Sequence, residues 1–357
     1  MKNTSTAIAP AEGNTIGIDL GDREATLAVM TKSAEVVEEA CLKLTEPALQ
    51  SYFSRVGTCR VVLEAGTHSP WVKRLLLEYG HEVMVLNPHQ VRLIAESRNK
   101  TDRIDAMTLA ELGRIGSALM STVEHRSEQA QLDLQILRSR AVLVETRTKL
   151  INHVRSAVKT AAGRIGSCKA ENFPKRAEAD MPEELKETLG PVVLEVWNLT
   201  EKIRGYDKEV GRLIGERYQD AGRLEKLPGV GPITALTFVL TLERPERFRR
   251  NRQVGKYLGL TPGVRQSGKR YQELGITKAG DKEIRRLLVQ AAHSVMGHKS
   301  ADGDLRRWAL KKAEGSKIQK KKATVALARK LAVLMLAIWR SGEEYEPLHK
   351  REAVVTN

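Results

Sequence analysis

The sequence predicts three parts in series: an α/β domain, a pair of long helices, and a basic, mainly α-helical domain. Three observations predict this order. Short β-branched runs alternate with amphipathic stretches over roughly the first hundred residues, the pattern of a layered α/β fold. Residues 125–165 then carry apolar positions at spacings of three and four with no proline among them. From Arg223 onward the chain turns to short helical runs punctuated by glycine, and its charge rises steeply. Residues 223–340 hold 27 Lys and Arg against 9 Asp and Glu, whereas residues 1–115 hold 13 against 15.

Each element follows from its local pattern. Ile16, Ile18 and Leu20 alternate with Gly17 and Asp19, which reads as a strand. Gly21-Asp22 turns the chain into a second strand over 25–30. A helix is expected over 47–56, a β-branched strand over 60–65 (RVVLEA), and an amphipathic helix over 70–79 that ends at Gly80. Glu82–Leu86 reads as a strand stopped by Asn87-Pro88, and residues 101–112 return to helix. The run over 125–165 predicts a helix of many turns. A second over 192–217 follows a polar connection containing Pro and Gly, and the two suggest an antiparallel hairpin or coiled coil. The expected parts are a flexible start (1–14), the α/β domain (15–120), the coiled-coil arm (121–222), the basic domain (223–340) and a tail (341–357).

Composition excludes several classes. The chain has 357 residues with 41% hydrophobic and 29% charged, as in a water-soluble fold. Its most apolar stretch, residues 323–339, is interrupted by Arg329 and Lys330 and is short for a membrane span. The first residues lack the apolar core of a secretory signal. Three scattered cysteines (Cys41, Cys59, Cys168) make neither a disulfide framework nor a zinc site, and fit a reducing cytosol. A net charge of +15, concentrated in one domain, points to a polyanionic partner, and nucleic acid is the commonest.

Three constellations carry chemistry. Asp19 lies in one strand, Glu64 ends another, and Asp102 and Asp105 open a helix three residues apart, on one face. Four such carboxylates repel unless a divalent cation neutralises them, and oxygen ligands suit Mg²⁺ or Mn²⁺. Any one alone reads as a cap or turn residue. Next, Leu227-Pro228-Gly229-Val230-Gly231-Pro232 lies between helical runs. Its glycines leave amides free at the next helix N-terminus, as in the helix-hairpin-helix motif of DNA-binding proteins. Last, Ser267 lies in a cation-dense segment with Arg265, Lys269 and Arg270 able to hold a phosphate. The segment reads by itself as a basic loop, and Tyr271 is a rival nucleophile. Paired cations such as Arg285-Arg286, with Lys278 nearby, read as phosphate contacts.

Taken together, IGID (16–19), LEAGT (63–67), NKTDRIDA (99–106), LPGVG (227–231), GLTPG…SG (259–268) and ITKAGDKEIRRLL (276–288) resemble the transposases of the insertion-sequence one-ten family. The resemblance spans nearly the whole chain. It implies a RuvC/RNase H-like first domain in which Asp19, Glu64, Asp102 and Asp105 form a DEDD metal-binding tetrad, with Ser267 as nucleophile. It also implies a bridge RNA that pairs with donor and target DNA, a homodimer assembling to a tetramer on DNA, and a place in the bacterial cytosol or nucleoid with no membrane partner. Two other readings stand beside it. IGIDLG (16–21) also resembles the first phosphate loop of the actin and sugar-kinase fold, although no second loop or adenosine site follows. A Holliday-junction nuclease would use the carboxylates and water alone.

Overall fold

The computed structural model describes residues 13–94, 101–115, 122–268 and 270–348, without the side chains of 92–94. The chain divides into two compact units, residues 1–126 and 127–357.

In the first unit, β1 (Thr15–Leu20), β2 (Glu24–Met30) and β3 (Val36–Lys43) form an antiparallel meander. After α1 (Glu46–Phe53), β4 (Arg60–Glu64) returns parallel to β1. After α2 (Ser69–Glu78), β5 (Glu82–Leu86) adds parallel to β4. The sheet order is β3-β2-β1-β4-β5, and α3 (Pro88–Ile94) and α4 (Asp102–Ile115) follow. Both faces of the sheet are covered. Ile16, Ile18, Val61 and Leu63 pack with Leu49 and Phe53 of α1 and Val72 and Leu76 of α2. Val62, Met84 and Leu86 point the other way, against Leu109 and Leu112 of α4. Strand β3 has no counterpart in the sequence reading. Its positions alternate between half-buried and exposed, and its two glutamates mask the β-branched signal.

In the second unit, α5 (Glu128–Thr160) and α7 (Glu183–Glu216) run antiparallel, joined through a 3₁₀ turn and α6 (Phe173–Asp180). Three polar rungs, seven residues apart on α5, fix their register. Asp133 accepts from Arg217 Nη1 at 2.7 Å, Arg140 Nε donates to Asp207 at 2.6 Å, and Arg147 Nη1 donates to Thr200 at 3.2 Å. Helix α7 starts at Glu183, nine residues before the expected run, and carries Gly190 and Pro191 inside it. Burial of Leu189, Val196 and Phe173 in one cluster holds this end helical despite the missing proline N–H.

The chain continues through α8 (Gln219–Leu224), α9 (Pro232–Leu242), α10 (Gln253–Tyr257), the ribbon β6 (Pro262–Ser267) and β7 (Arg270–Ile276), α11 (Lys282–Met296), α12 (Asp304–Ala313) and α13 (Lys317–Ser341). Residue 222 marks no break in the core. Leu134 and Leu137 of α5 and Val210 and Leu213 of α7 share one apolar cluster with Phe238, Leu288 and Leu331. No helix among the described residues is long and apolar enough to cross a membrane.

Candidate functional site

The register places Asp19 and Glu64 side by side. Parallel pairing runs Gly17 with Val62 and Ile18 with Leu63, so the next residues, Asp19 and Glu64, stand together at the C-terminal edge of β1 and β4. Alternation puts both on the face that α4 covers. Gly17 fixes that helix, because a Cβ there would sit 2.0 Å from the Ala106 carbonyl oxygen. Farther along, a Cβ at Gly113 would meet Val62 and Thr15. Helix α4 therefore runs opposite to β1, and its first turn, with Asp102 and Asp105, lies at the Asp19–Glu64 end of the sheet.

That first turn is tied down. Thr101 Oγ1 accepts from the Ile104 amide at 3.3 Å, and the Thr101 carbonyl accepts from the Asp105 amide at 3.0 Å. Arg103 pairs with Glu39 of β3 at 2.7 Å, and at the far end Arg60 Nη1 donates to the Gly113 carbonyl at 2.9 Å. Asp19, Glu64 and Asp105 are half-buried and Asp102 is exposed. Burial, then Glu24 and last the charge of Asp102 push the Cys41 thiol of β3 above its usual range, with a Thr26 hydrogen bond opposing them. The four carboxylates thus spread along one edge. Among the described residues no three His, Cys, Asp or Glu side chains are gathered closely enough to hold one metal ion. Their all-oxygen chemistry still suits a hard divalent cation.

The turn after Glu64 is held by contacts between residues distant in sequence. The fully buried Ser69 accepts from the Gly66 amide at 3.0 Å, donates to the Gly66 carbonyl at 2.9 Å and meets His125 Nε2 at 3.0 Å. No spacing in the sequence announces a partner 56 residues away.

Ser267 lies on a ribbon where sequence suggested a loop. The signal was present: Gly268, with φ of 56°, is the turn glycine between two short alternating runs. Cross-strand pairs are Ser267 with Arg270, Gln266 with Tyr271, Arg265 with Gln272 and Val264 with Glu273. Paired residues share a face and neighbours alternate. Ser267, Arg265 and Arg270 therefore occupy one face, and Tyr271 occupies the other. Lys269 lies outside the described residues. Glycines anchor the ribbon's roots, since a Cβ at Gly259 would sit 2.1 Å from the Ala279 oxygen and one at Gly280 would sit 2.2 Å from the Tyr257 oxygen.

The remaining cations divide by task. Arg285 Nη1 lies within 2.7–3.2 Å of the carbonyls of Leu258, Ala279, Gly280 and Asp281, so it staples the ribbon's root. Lys278 is exposed in a left-handed turn with φ of 57°. Arg286, half-exposed, is braced by Glu283 at 3.0 Å. Gly229, with φ of 75°, lets the turn before α9 approach α11, where a Cβ would sit 2.5 Å from the Ala291 oxygen. Gly231 begins α9 and has open space around it.

Comparisons with known proteins converge on one family. The family described as "Transposase IS116/IS110/IS902 family" matches residues 221–306, and a DEDD transposase family of IS110 elements, described as "Transposase", matches residues 16–162. The transposase for insertion sequence element IS1111A of Coxiella burnetii is 30% identical over 305 residues, covering 82% of each chain. That for IS1328 of Yersinia enterocolitica is 27% identical over 333 residues, covering 92% of this chain and 97% of the relative. Among solved structures, T. thermophilus RuvC in complex with Holliday junction substrate is similar over 30% of this chain and 99% of that chain. The identity is 16% and the TM-score 0.22. The relatives span both units of the chain, which the kinase-like reading of IGIDLG cannot accommodate. The chain belongs to the IS110/IS116/IS902 family of insertion-sequence transposases.

Proposed function

We propose that this transposase cuts and rejoins DNA through a covalent phosphoserine intermediate on Ser267, with a RuvC-like first unit supplying a DEDD carboxylate edge. The observation that carries the serine assignment is the ribbon's register. Arg265 and Arg270, which can hold a phosphate's charge, share the face of Ser267 and not that of Tyr271. In the reaction, the Ser267 oxygen bonds to phosphorus as the bond to one sugar oxygen breaks. The departing sugar oxygen takes up a proton in place of the one the serine loses. Reversal by another strand's hydroxyl restores the phosphodiester and the serine, so rejoining needs no ATP.

Asp19, Glu64, Asp102 and Asp105 would hold Mg²⁺ or Mn²⁺, which polarises the phosphate and stabilises the leaving oxygen. Their shared edge supports this role. Arg265 and Arg270 orient the phosphate and resist its departure. The surplus of cations in residues 223–340 supports binding of donor and target DNA and of a bridge RNA that selects them. The long α5–α7 pair, with Val142 and Leu194 exposed, supports a coiled-coil arm for dimers that assemble to tetramers on DNA.

The test is denaturing electrophoresis of full-length protein incubated with Mg²⁺, the element's bridge RNA and end-labelled DNA carrying the element's ends. A labelled band at the protein's mass is expected for wild type and Tyr271→Phe and not for Ser267→Ala. Cleavage without an adduct in Ser267→Ala would favour a water-using nuclease.

A further inference from the structure

The two faces of the ribbon differ in chemistry. On one, Ser267 and Arg270 form the last rung before the turn, with Arg265 and Gln272 as the rung behind them. On the other, Gln266 pairs with Tyr271 and Val264 with Glu273. Among the described residues this second face carries no cation, and its one charge is the Glu273 carboxylate. It also holds the ribbon's one aromatic ring. Tyr271 is 61% exposed, and Val264, its diagonal neighbour, is 52% exposed. Other rings of the unit are engaged. The Tyr257 ring lies 5.5 Å from Phe248 and 5.0 Å from the Arg247 guanidinium, Tyr218 donates to Asp133, and Trp308 lies 4.4 Å from the Lys330 ammonium.

A phosphate suits the first face and is repelled by the second. A nucleobase suits the second, because it is uncharged and its flat face stacks on an aromatic ring whatever the base. One strand can reach both faces. Tyr271 follows Arg270 directly, so the two faces are addressed within about 3.4 Å along β7. The tip between them is bare, since a Cβ on Gly268 would meet nothing within 4 Å. The occupant of the second face therefore follows from that of the first. A strand whose phosphate lies on Arg265 and Arg270 carries a base that can fold over the tip onto Tyr271.

We propose that Tyr271 stacks on a DNA base next to the phosphate cut at Ser267 and so holds the strand across the hairpin tip. The proposal rests on the phosphoserine reading above for the place of the cut. It gives Tyr271 a task that needs its ring and not its hydroxyl.

The test pairs a protein change with a DNA change. Full-length protein is incubated with Mg²⁺, the element's bridge RNA and end-labelled DNA carrying the element's ends, and the rates of strand cleavage and of adduct formation are read on denaturing gels. The cut is mapped with wild type, and an abasic nucleotide is then placed in turn at the two positions on each side of it. On intact DNA, Tyr271→Ala should cut roughly tenfold more slowly, with an unchanged melting point, and Tyr271→Phe should recover most of that loss. At one abasic position Tyr271→Ala and wild type should become equal, because the base that the ring holds is gone. Any loss of pairing with the RNA slows both proteins alike and cancels in their ratio. If Tyr271→Ala stays tenfold slower at every abasic position, the ring touches something else and the proposal is overturned. Anisotropy of labelled bridge RNA and light scattering then assign the contact to RNA or to a second copy of the chain. Equal rates on intact DNA overturn it as well. The serine is judged apart from this ratio: cleavage without an adduct in Ser267→Ala removes the phosphoserine and leaves the base contact to the abasic series. An adduct lost in Tyr271→Phe overturns both, since the hydroxyl would then be the nucleophile.

Discussion

Asp19 and Glu64 extend from strands whose preceding residues, Ile18 and Leu63, are fully buried, whereas every described residue of the ribbon from 264 to 275 around Ser267 is exposed. The carboxylate edge is a product of a two-sided core: its geometry is set by Gly17 against Ala106, by Val62 against Gly113, by the Arg103–Glu39 ion pair at one end of α4 and by the Arg60 hydrogen bond to the Gly113 carbonyl at the other. The ribbon has no core. A two-stranded ribbon is marginal by itself, and this one is anchored at its roots, by close glycine contacts, the Arg285 staple, backbone hydrogen bonds and Ile276 against the core. Like charges must be held together by the protein before a cation can use them, so they need a rigid frame. The nucleophile proposed at Ser267 would need access to a large polyanion more than rigidity, and an exposed ribbon provides it.

That contrast predicts opposite responses to substitution. Ser267→Ala should abolish the covalent adduct while the thermal midpoint stays within about 1 °C, since no buried contact is lost. A drop of several degrees would show that the serine has a structural role and break the comparison. Gly17→Val should do both kinds of damage. Its side chain must push α4 off the sheet, an overpacking cost of about 1–3 kcal/mol or more, and it would carry Asp102 and Asp105 away from Asp19 and Glu64. The expected result is a lower denaturation midpoint and loss of cleavage together, checked by chemical unfolding and the gel assay on one preparation.

The same contrast explains what the sequence reveals. Strands β1, β2, β4 and β5 are legible because buried strands spell themselves in Ile, Val and Leu. The Asp19–Glu64 adjacency needs the β1–β4 register, which no local pattern contains, yet two strand ends followed by a helix with two aspartates already hinted at it. Strand β3 was illegible because an edge strand with glutamates on it reads as a polar connector. The start of α7 was hidden because Gly190-Pro191 is a breaker signal, which burial of Leu189 and Val196 overrides. For Arg285 the sequence offers only an arginine in a basic region. Its capture by four carbonyls depends on two loops brought together by Gly259 and Gly280.

Arg285→Met sharpens the comparison at the ribbon's root. If Arg285 is a staple, its loss should cost about 1.5–3 kcal/mol through hydrogen bonds to a charged donor. Amide exchange over residues 258–281 should rise, with the salt slope of nucleic-acid binding unchanged. A slope reduced by about 1 with unchanged exchange would return Arg285 to the phosphate-binding set.

The smallest effect belongs to pH, and it separates the two units. Ser69 has one hydroxyl proton and gives it to the Gly66 carbonyl, so His125 must donate from Nε2 to the Ser69 oxygen. Burial, and after it the charge of Lys73, lowers the His125 pKa to about 4, with Arg126 and Arg74 adding to this and Glu124 opposing it. Unfolded, the imidazole titrates near its ordinary value of 6.5. Between these values the unfolded chain binds the extra proton, so stability is whole above pH 6.5 and is lost as pH falls toward 4. Burial lowers His81 in the same unit too, and it acts in the same direction. Hydrogen exchange of the full chain, corrected for intrinsic rates, should therefore show residues 60–76 losing protection between pH 6.5 and 5 while residues 262–276 keep theirs. His125→Asn, which can still donate to Ser69, should flatten much of that loss and leave the remainder to His81. Equal loss in both segments, or an undiminished slope in His125→Asn, would place the pH sensitivity elsewhere.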